Sequence, residues 1–198
     1  MGTGPFMTKP QTPEEDAKLM AQVAQGEEQA CRLLVQRHLS QIVGLAMRMT
    51  NNKSEAEDIA QEAFVRLWKQ CDQWQAKAKI STWLYRVTHN LSIDAIRRRE
   101  RQNITTNDLS DIEDTTTDQN EMLHQKDVKN QIDAAISSLP ERQRTAITLV
   151  HHRDLSNKDA AQIMNVSIDA LESLLARGRR SLRNVLQEKR QDLLGVNL

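Results

Sequence analysis

In the clearest stretches of the chain, apolar side chains return every three or four residues, which is the spacing of one helix face. Ile59, Ala60, Ala63, Phe64, Leu67 and Trp68 make one such stripe, and Leu171, Leu174, Leu175, Gly178, Leu182, Val185 and Leu186 make another. Punctuation between the stripes predicts where helices start and stop. Pro13-Glu14-Glu15-Asp16 opens a first helix, with proline early and carboxylates at the positive end of the helix dipole. Glu27 to about Met49 supplies one or two more, and Asn51-Asn52-Lys53-Ser54 then breaks the run. Ser54 is expected to cap the helix carrying DIAQEAFVRLW (58–68), and Ser81 the helix that follows. Later in the chain, a helix over 128–138 stops before Pro140, and Glu141–His151 forms the next. Ser156-Asn157-Lys158-Asp159 has the capping-box form, Asn165 permits a tight turn, and Ser167 caps a long helix running to about Glu188.

Between these two groups of helices the pattern fails. In NITTNDLSDIEDTTTDQNEMLHQKD (103–127) large apolar residues are scarce and seven carboxylates face one lysine. Such a segment makes a poor core and a good tether. The expected architecture is all-α. A four-helix domain over 13–102 is joined by an acidic linker, 103–127, to a smaller helical domain over 128–190, with tails at 1–12 and 191–198. Met1–Phe6 is either a native tail or a cloning remnant. Composition agrees, with 38% hydrophobic, 3% aromatic and 27% charged residues in 198, too few aromatic side chains for a typical sheet protein. The formal net charge is zero, so only its distribution points to partners. Cys31 and Cys71 stand forty residues apart, a spacing that suits neither a zinc knuckle nor a disulfide framework. No apolar run approaches a membrane span or a signal-peptide core, and a cytoplasmic setting is expected.

Three polar faces stand out. Two helices joined by a turn at 165–167, the second rich in arginine, form a helix-turn-helix pattern. The face opposite the apolar stripe of its second helix carries Asp169, Glu172, Ser173, Ala176, Arg177, Arg180 and Arg183, with a small residue for close approach and arginines for guanine edges or phosphates. In the helix from Ser81, Arg86, Asn90, Asp94, Arg97, Arg98 and Arg101 share one side while Leu84, Leu91 and Ala95 face the core. Trp74, Lys77, Lys79 and Tyr85 lie nearby as possible partners for bases and phosphates, whereas Trp68 and Trp83 are expected in the core. Asp58, Gln61 and Glu62 form an acidic edge on the 58–68 helix, which by pattern alone is a solvated face. Enzyme chemistry finds no foothold. There is no phosphate-binding glycine loop and no HExxH, His151 and His152 are adjacent and so point apart, and no carboxylate is paired with a nucleophile. No catalytic residue, metal, cofactor or small-molecule substrate is expected.

Together, DIAQEAFVRLW, STWLYRVTHNLSIDAIRRRER (81–101) and LPERQRTAITLVHHRDLSNKDAAQIMNVSIDALESLLARGRRSLR (139–183) resemble the extracytoplasmic-function sigma factors, the branch of the bacterial sigma-70 family that retains only regions 2 and 4. The resemblance implies that Asp58, Gln61 and Glu62 dock on the β′ clamp helices of core RNA polymerase, and that the second domain meets the β flap. It implies that Trp74, Lys77, Lys79, Arg86, Asn90, Asp94, Arg97, Arg98 and Arg101 line the −10 reader, where a base is captured outside the stack by the loop 72–80. Ser167, Asp169, Glu172, Ser173, Ala176, Arg177 and Arg180 then read the −35 element in the major groove. Glu172 departs from the basic residue many relatives carry there. A cognate anti-sigma factor is a further expected partner. The alternative is a helix-turn-helix regulator that binds duplex DNA without polymerase and has no need of the acidic helix.

Overall fold

The computed structural model describes residues 12–75, 79–105, 131–152 and 155–194. Among them the chain forms α1 (Pro13–Ala24), α2 (Glu28–Thr50), α3 (Lys53–Lys69), a 3-10 turn (Cys71–Gln73), α4 (Ile80–Thr105), α5 (131–137), α6 (Glu141–Ile147), a π turn (Thr148–His152), α7 (Asn157–Met164) and α8 (Ile168–Leu194), and no strand. The all-α expectation holds. Glu28–Thr50 is one helix, α4 continues past residue 102 to Thr105, and α8 continues past Glu188 to Leu194. The linker beyond Thr105, the residues 128–130, the tail before Thr12 and Lys77 lie outside the described residues.

Local capping explains most of these boundaries. Thr12 and Glu15 cap α1 reciprocally, each side chain accepting from the other's backbone N–H at 3.3 Å. Asn51 takes the left-handed conformation (φ 53°) that ends α2, which leaves Asn52 extended and next in line. Asn52 Oδ1 accepts from the Glu55 N–H at 2.9 Å, so Asn52 caps α3, and the expected Ser54 is already inside the helix. Ser156 Oγ accepts from the Asp159 N–H at 3.1 Å and donates to the Asp159 carboxylate at 2.7 Å. Asn165 (φ 52°) closes α7, and Ser167 Oγ accepts from the Ala170 N–H at 3.1 Å to open α8. The second expected cap, Ser81, gives way to a partner far off in sequence. Helix α4 begins one residue earlier, and the Ile80 N–H donates to Asp16 Oδ2 at 2.6 Å.

Helices α1 to α4 pack around Met20, Leu34, Ile42, Leu45, Leu67, Ile80 and Leu84, all at 1% exposure or less. Truncating any of these leucines to alanine is worth about 2–5 kcal/mol. Arg99 of α4 donates twice to the Thr50 carbonyl, at 3.3 and 3.2 Å, and lies 3.6 Å from the Glu55 carboxylate. It thereby ties the α2–α3 corner to the far half of α4. In the smaller group, Ile147, Leu149, Ile163, Leu171, Leu174 and Leu175 form the centre. Gly178 lets α8 close on α6, since a Cβ there would sit 2.9 Å from Ile147 Cγ1.

The two groups touch. Helix α4 lies against α7 and α2 against α6, and Arg48 Nη2 pairs with Asp133 Oδ1 of α5 at 3.2 Å. On α2, α6 and the π turn, Arg48 Nε, Gln143 Oε1, Arg144 Nε and Thr148 Oγ1 are buried with no hydrogen-bond partner among the described residues. Each such atom gives up solvation without recompense, a local cost beside an apolar cluster that runs without a break through both groups.

Candidate nucleic-acid and partner interfaces

Helix α3 turns Ile59, Ala60, Ala63, Phe64 and Leu67 into the core. Asp58 and Gln61 are exposed beside a half-exposed Glu62, whose carboxylate accepts from Arg66 Nε at 2.8 Å. The acidic edge therefore borders an intrahelical ion pair. It also borders an open apolar groove of about 500 Å³ between α2 and α3, lined by Val35, Leu39, Val43, Phe64, Val65 and Trp68 with Glu57 and Gln61 at the rim. Leu39 is 41% exposed there. Sequence reasoning missed the α2 side of this surface, because the groove exists only where two distant stretches run side by side.

Helix α4 separates its faces cleanly. Leu84, Tyr85, Thr88, Ser92 and Ile96 are buried, while Arg86, Asn90, Asp94, Arg97, Arg98 and Arg101 are exposed. Tyr85, grouped with Trp74 as a possible base partner, is instead a core residue at 4% exposure whose hydroxyl donates to Gln41 Oε1 at 2.8 Å. His89 Nδ1 and Asn90 Oδ1 lie 3.2 Å apart. Burial pulls His89 below its ordinary pKa against the opposing pull of Asn90 and the Glu141 carboxylate. Trp74 is half-buried and meets Trp83 edge-on, with ring centroids 6.1 Å apart and planes at 75°. Its indole Nε1 is buried without a partner among the described residues. Lys79 is exposed at the foot of α4. Trp68 and Trp83 pack against the core, as expected.

Helix α8 also separates its faces. Leu171, Leu174, Leu175 and Gly178 are buried, and Asp169, Glu172, Ser173, Ala176, Arg177, Arg180 and Arg183 are exposed. The expected apolar stripe fades towards its end, where Leu182 and Val185 are half-buried and Leu186 is 37% exposed. Ser167 is exposed but its hydroxyl serves the helix cap. Glu172 Oε1 accepts from Asn157 Nδ2 of α7 at 3.4 Å, which ties it to the neighbouring helix. Arg177 Nε donates to the Ser173 carbonyl at 3.2 Å. Among the described residues no three His, Cys, Asp or Glu side chains gather as a metal site, and no helix is long and apolar enough to cross a membrane.

An all-α molecule with an acidic edge beside an apolar groove, a basic helix face and a helix-turn-helix defines a protein that joins a protein partner to DNA. Comparison with known proteins gives the class its family. Residues 34–102 match Sigma-70 region 2, and residues 129–182 match Sigma-70, region 4. The chain is 32% identical over 180 residues to the ECF RNA polymerase sigma factor SigW of Bacillus subtilis, covering 86% of this chain and 96% of that one. It is 30% identical over 186 residues to the RNA polymerase sigma-H factor of Pseudomonas aeruginosa, covering 89% and 96%. Among solved structures, the sigma factor RpoE from Bartonella quintana, in complex with the anti-sigma factor NepR, superposes with a TM-score of 0.66 at 21% identity over 79% of this chain and 96% of that one. CnrH, in complex with the cytosolic domain of CnrY, gives 0.63 at 23% identity over 87% and 97%. The chain belongs to the extracytoplasmic-function sigma factors of the sigma-70 family. It binds core RNA polymerase and directs promoter-specific initiation through −35 and −10 elements, as a member of a family of transcription initiation factors.

Proposed function

We propose how this chain divides that work among its surfaces. The acidic edge of Asp58, Gln61 and Glu62, with the apolar groove beside it, docks on the β′ clamp helices. The groove supplies burial, and the carboxylates supply charge complementarity that speeds encounter and fixes register. The exposed face of α4 (Arg86, Asn90, Asp94, Arg97, Arg98 and Arg101), with Lys79 and Trp74 at its foot and together with Lys77, holds the opened −10 strand. Arginines there neutralise phosphates. Trp74 contributes by shaping the foot through Trp83 rather than by offering a free ring face. The exposed face of α8 (Ser167, Asp169, Glu172, Ser173, Ala176, Arg177 and Arg180) enters the major groove at the −35 element, and the domain bearing it, 128–190, meets the β flap. The domain over 13–102 and the acidic linker 103–127 complete the division. Linked engagement of two weak modules raises affinity for a promoter carrying both elements. The molecule acts in the cytoplasm with polymerase, and a cognate anti-sigma factor is a partner, as NepR is of RpoE.

The observation that carries this reading is that every described α4 and α8 residue assigned to DNA, from Arg86 to Arg101 and from Asp169 to Arg180, is exposed, while the opposite face of each helix is buried. Transcription in vitro with core polymerase tests it. Glu62→Arg should abolish assembly with core. Arg98→Glu should preserve assembly and block opening of the −10 element. Arg177→Glu should weaken initiation only at promoters that depend on the −35 element. Equal loss at every step in all three variants would show that the faces are not separate.

A further inference from the structure

The N-terminus of a helix leaves several backbone N–H groups without intrahelical partners. In α4 the first of these is served from across the molecule. The Ile80 N–H donates at 2.6 Å to Asp16 Oδ2, on α1, sixty-four positions earlier in the chain. Asp16 is 1% exposed and Ile80 fully buried, so Asp16 does not touch DNA. A carboxylate at this end of a helix also meets the positive end of the dipole. Burial pushes Asp16 up from its ordinary pKa, while the Ile80 hydrogen bond, the Arg37 guanidinium and the Lys79 ammonium favour the charged form.

Helix α1 does a second thing. It packs on the 3-10 turn Cys71–Gln73, where the chain leaves α3. One short helix, its own start fixed by the Thr12–Glu15 box, therefore holds both ends of the connection between α3 and α4. Within that connection Trp74 lies edge-on to Trp83 of the first turn of α4. The orientation of Trp74 and the position of Lys79 both depend on where α4 begins.

We infer that Asp16 is a positioning residue for −10 recognition: its carboxylate sets the start of α4 and so places Lys79 and the Trp74–Trp83 pair against the opened strand. The inference rests on the assignment of this end of α4 to the −10 element. Asp16 was legible in the sequence only as a favourable first-turn carboxylate of α1, and that local role does not require burial.

The test is binding of single-stranded −10 oligonucleotides to holoenzyme assembled with wild type, Asp16→Asn, Asp16→Ala or Val23→Ala. Each is measured with a cognate strand and a one-base mismatch, alongside affinity for core polymerase and for a −35 duplex. Val23, 8% exposed on the same helix, controls for general loosening of α1. Loss of the cap in Asp16→Ala should weaken cognate binding about tenfold, the size of a lost helix cap, and shrink the cognate-to-mismatch ratio. Core and −35 affinities should change less than twofold. Asp16→Asn keeps an acceptor and should recover most of the selectivity. If Asp16→Ala merely matches Val23→Ala, with reduced melting temperature and unchanged selectivity, the inference is overturned. If wild-type holoenzyme itself shows no preference for the cognate strand, the −10 assignment fails and takes this inference with it.

Discussion

His38 makes the stability of this protein fall in acid, and the size of the fall follows from its surroundings. The ring sits on the core face of α2 at 6% exposure, and Nε2 is buried with no partner among the described residues. Burial first, and the Arg37 guanidinium second, lower its pKa from 6.5 to about 4. The unfolded chain therefore binds a proton more readily than the folded one. The full contribution is present above pH 6.5 and is lost as the pH falls from there towards 4. Between pH 8 and pH 5 the linked loss is about 2 kcal/mol, a large share of the 5–15 kcal/mol typical of a folded domain. His89, lowered by burial, adds in the same direction, and Asp16, raised by burial, opposes it. Urea denaturation of wild type and His38→Leu at pH 8, 6.5 and 5 isolates the term, because the other groups are common to both. The wild type should lose about 2 kcal/mol more than the variant. Equal losses, or an NMR titration of His38 with a midpoint near 6.5, would refute the account.

Two further substitutions separate effects that the sequence runs together. Gly178→Ala gains about 1 kcal/mol of helix propensity but meets Ile147 Cγ1 at 2.9 Å in a closed core, where overpacking costs about 1–3 kcal/mol. The variant should be less stable by calorimetry, and adding Ile147→Ala should make the double-mutant cost less than additive. In the Arg97-Arg98-Arg99 run, Arg99→Ala should cost about 1 kcal/mol by releasing the Thr50 carbonyl. Arg97→Ala and Arg98→Ala should change chemical stability by less than about 0.5 kcal/mol while weakening −10 strand binding, read by fluorescence anisotropy.

What the sequence made legible was local. The caps at Ser156 and Ser167 and the turn at Asn165 are short-range and stand as expected. The polar faces of α4 and α8 follow from periodicity alone, and all of their described members are exposed. The misses have two causes. At Asn51-Asn52-Lys53-Ser54 several residues could cap, and the left-handed turn at Asn51 decided in favour of Asn52. At Ser81, in the α2 side of the groove and at Tyr85, the deciding partner lies tens of residues away. The fading stripe on α8 is a matter of length: a 27-residue helix outruns the 7-residue α6 that covers it.

The contact of α4 with α7 has a consequence on the scale of DNA. Neighbouring helix axes lie about 8–10 Å apart, and α7 in turn adjoins α8. Two such steps place the axes of α4 and α8 within roughly 20 Å of each other where they flank α7. Elements centred near −10 and −35 are about 25 base pairs apart, which on a straight duplex is roughly 85 Å. If α4 and α8 read these elements as proposed, the promoter spacing is several times the separation of the two helices where they flank α7. On that reading, engaging a whole promoter draws α5–α8 away from α2 and α4, across a seam that among the described residues holds the Arg48–Asp133 ion pair, buried polar atoms without partners and apolar packing continuous with both groups.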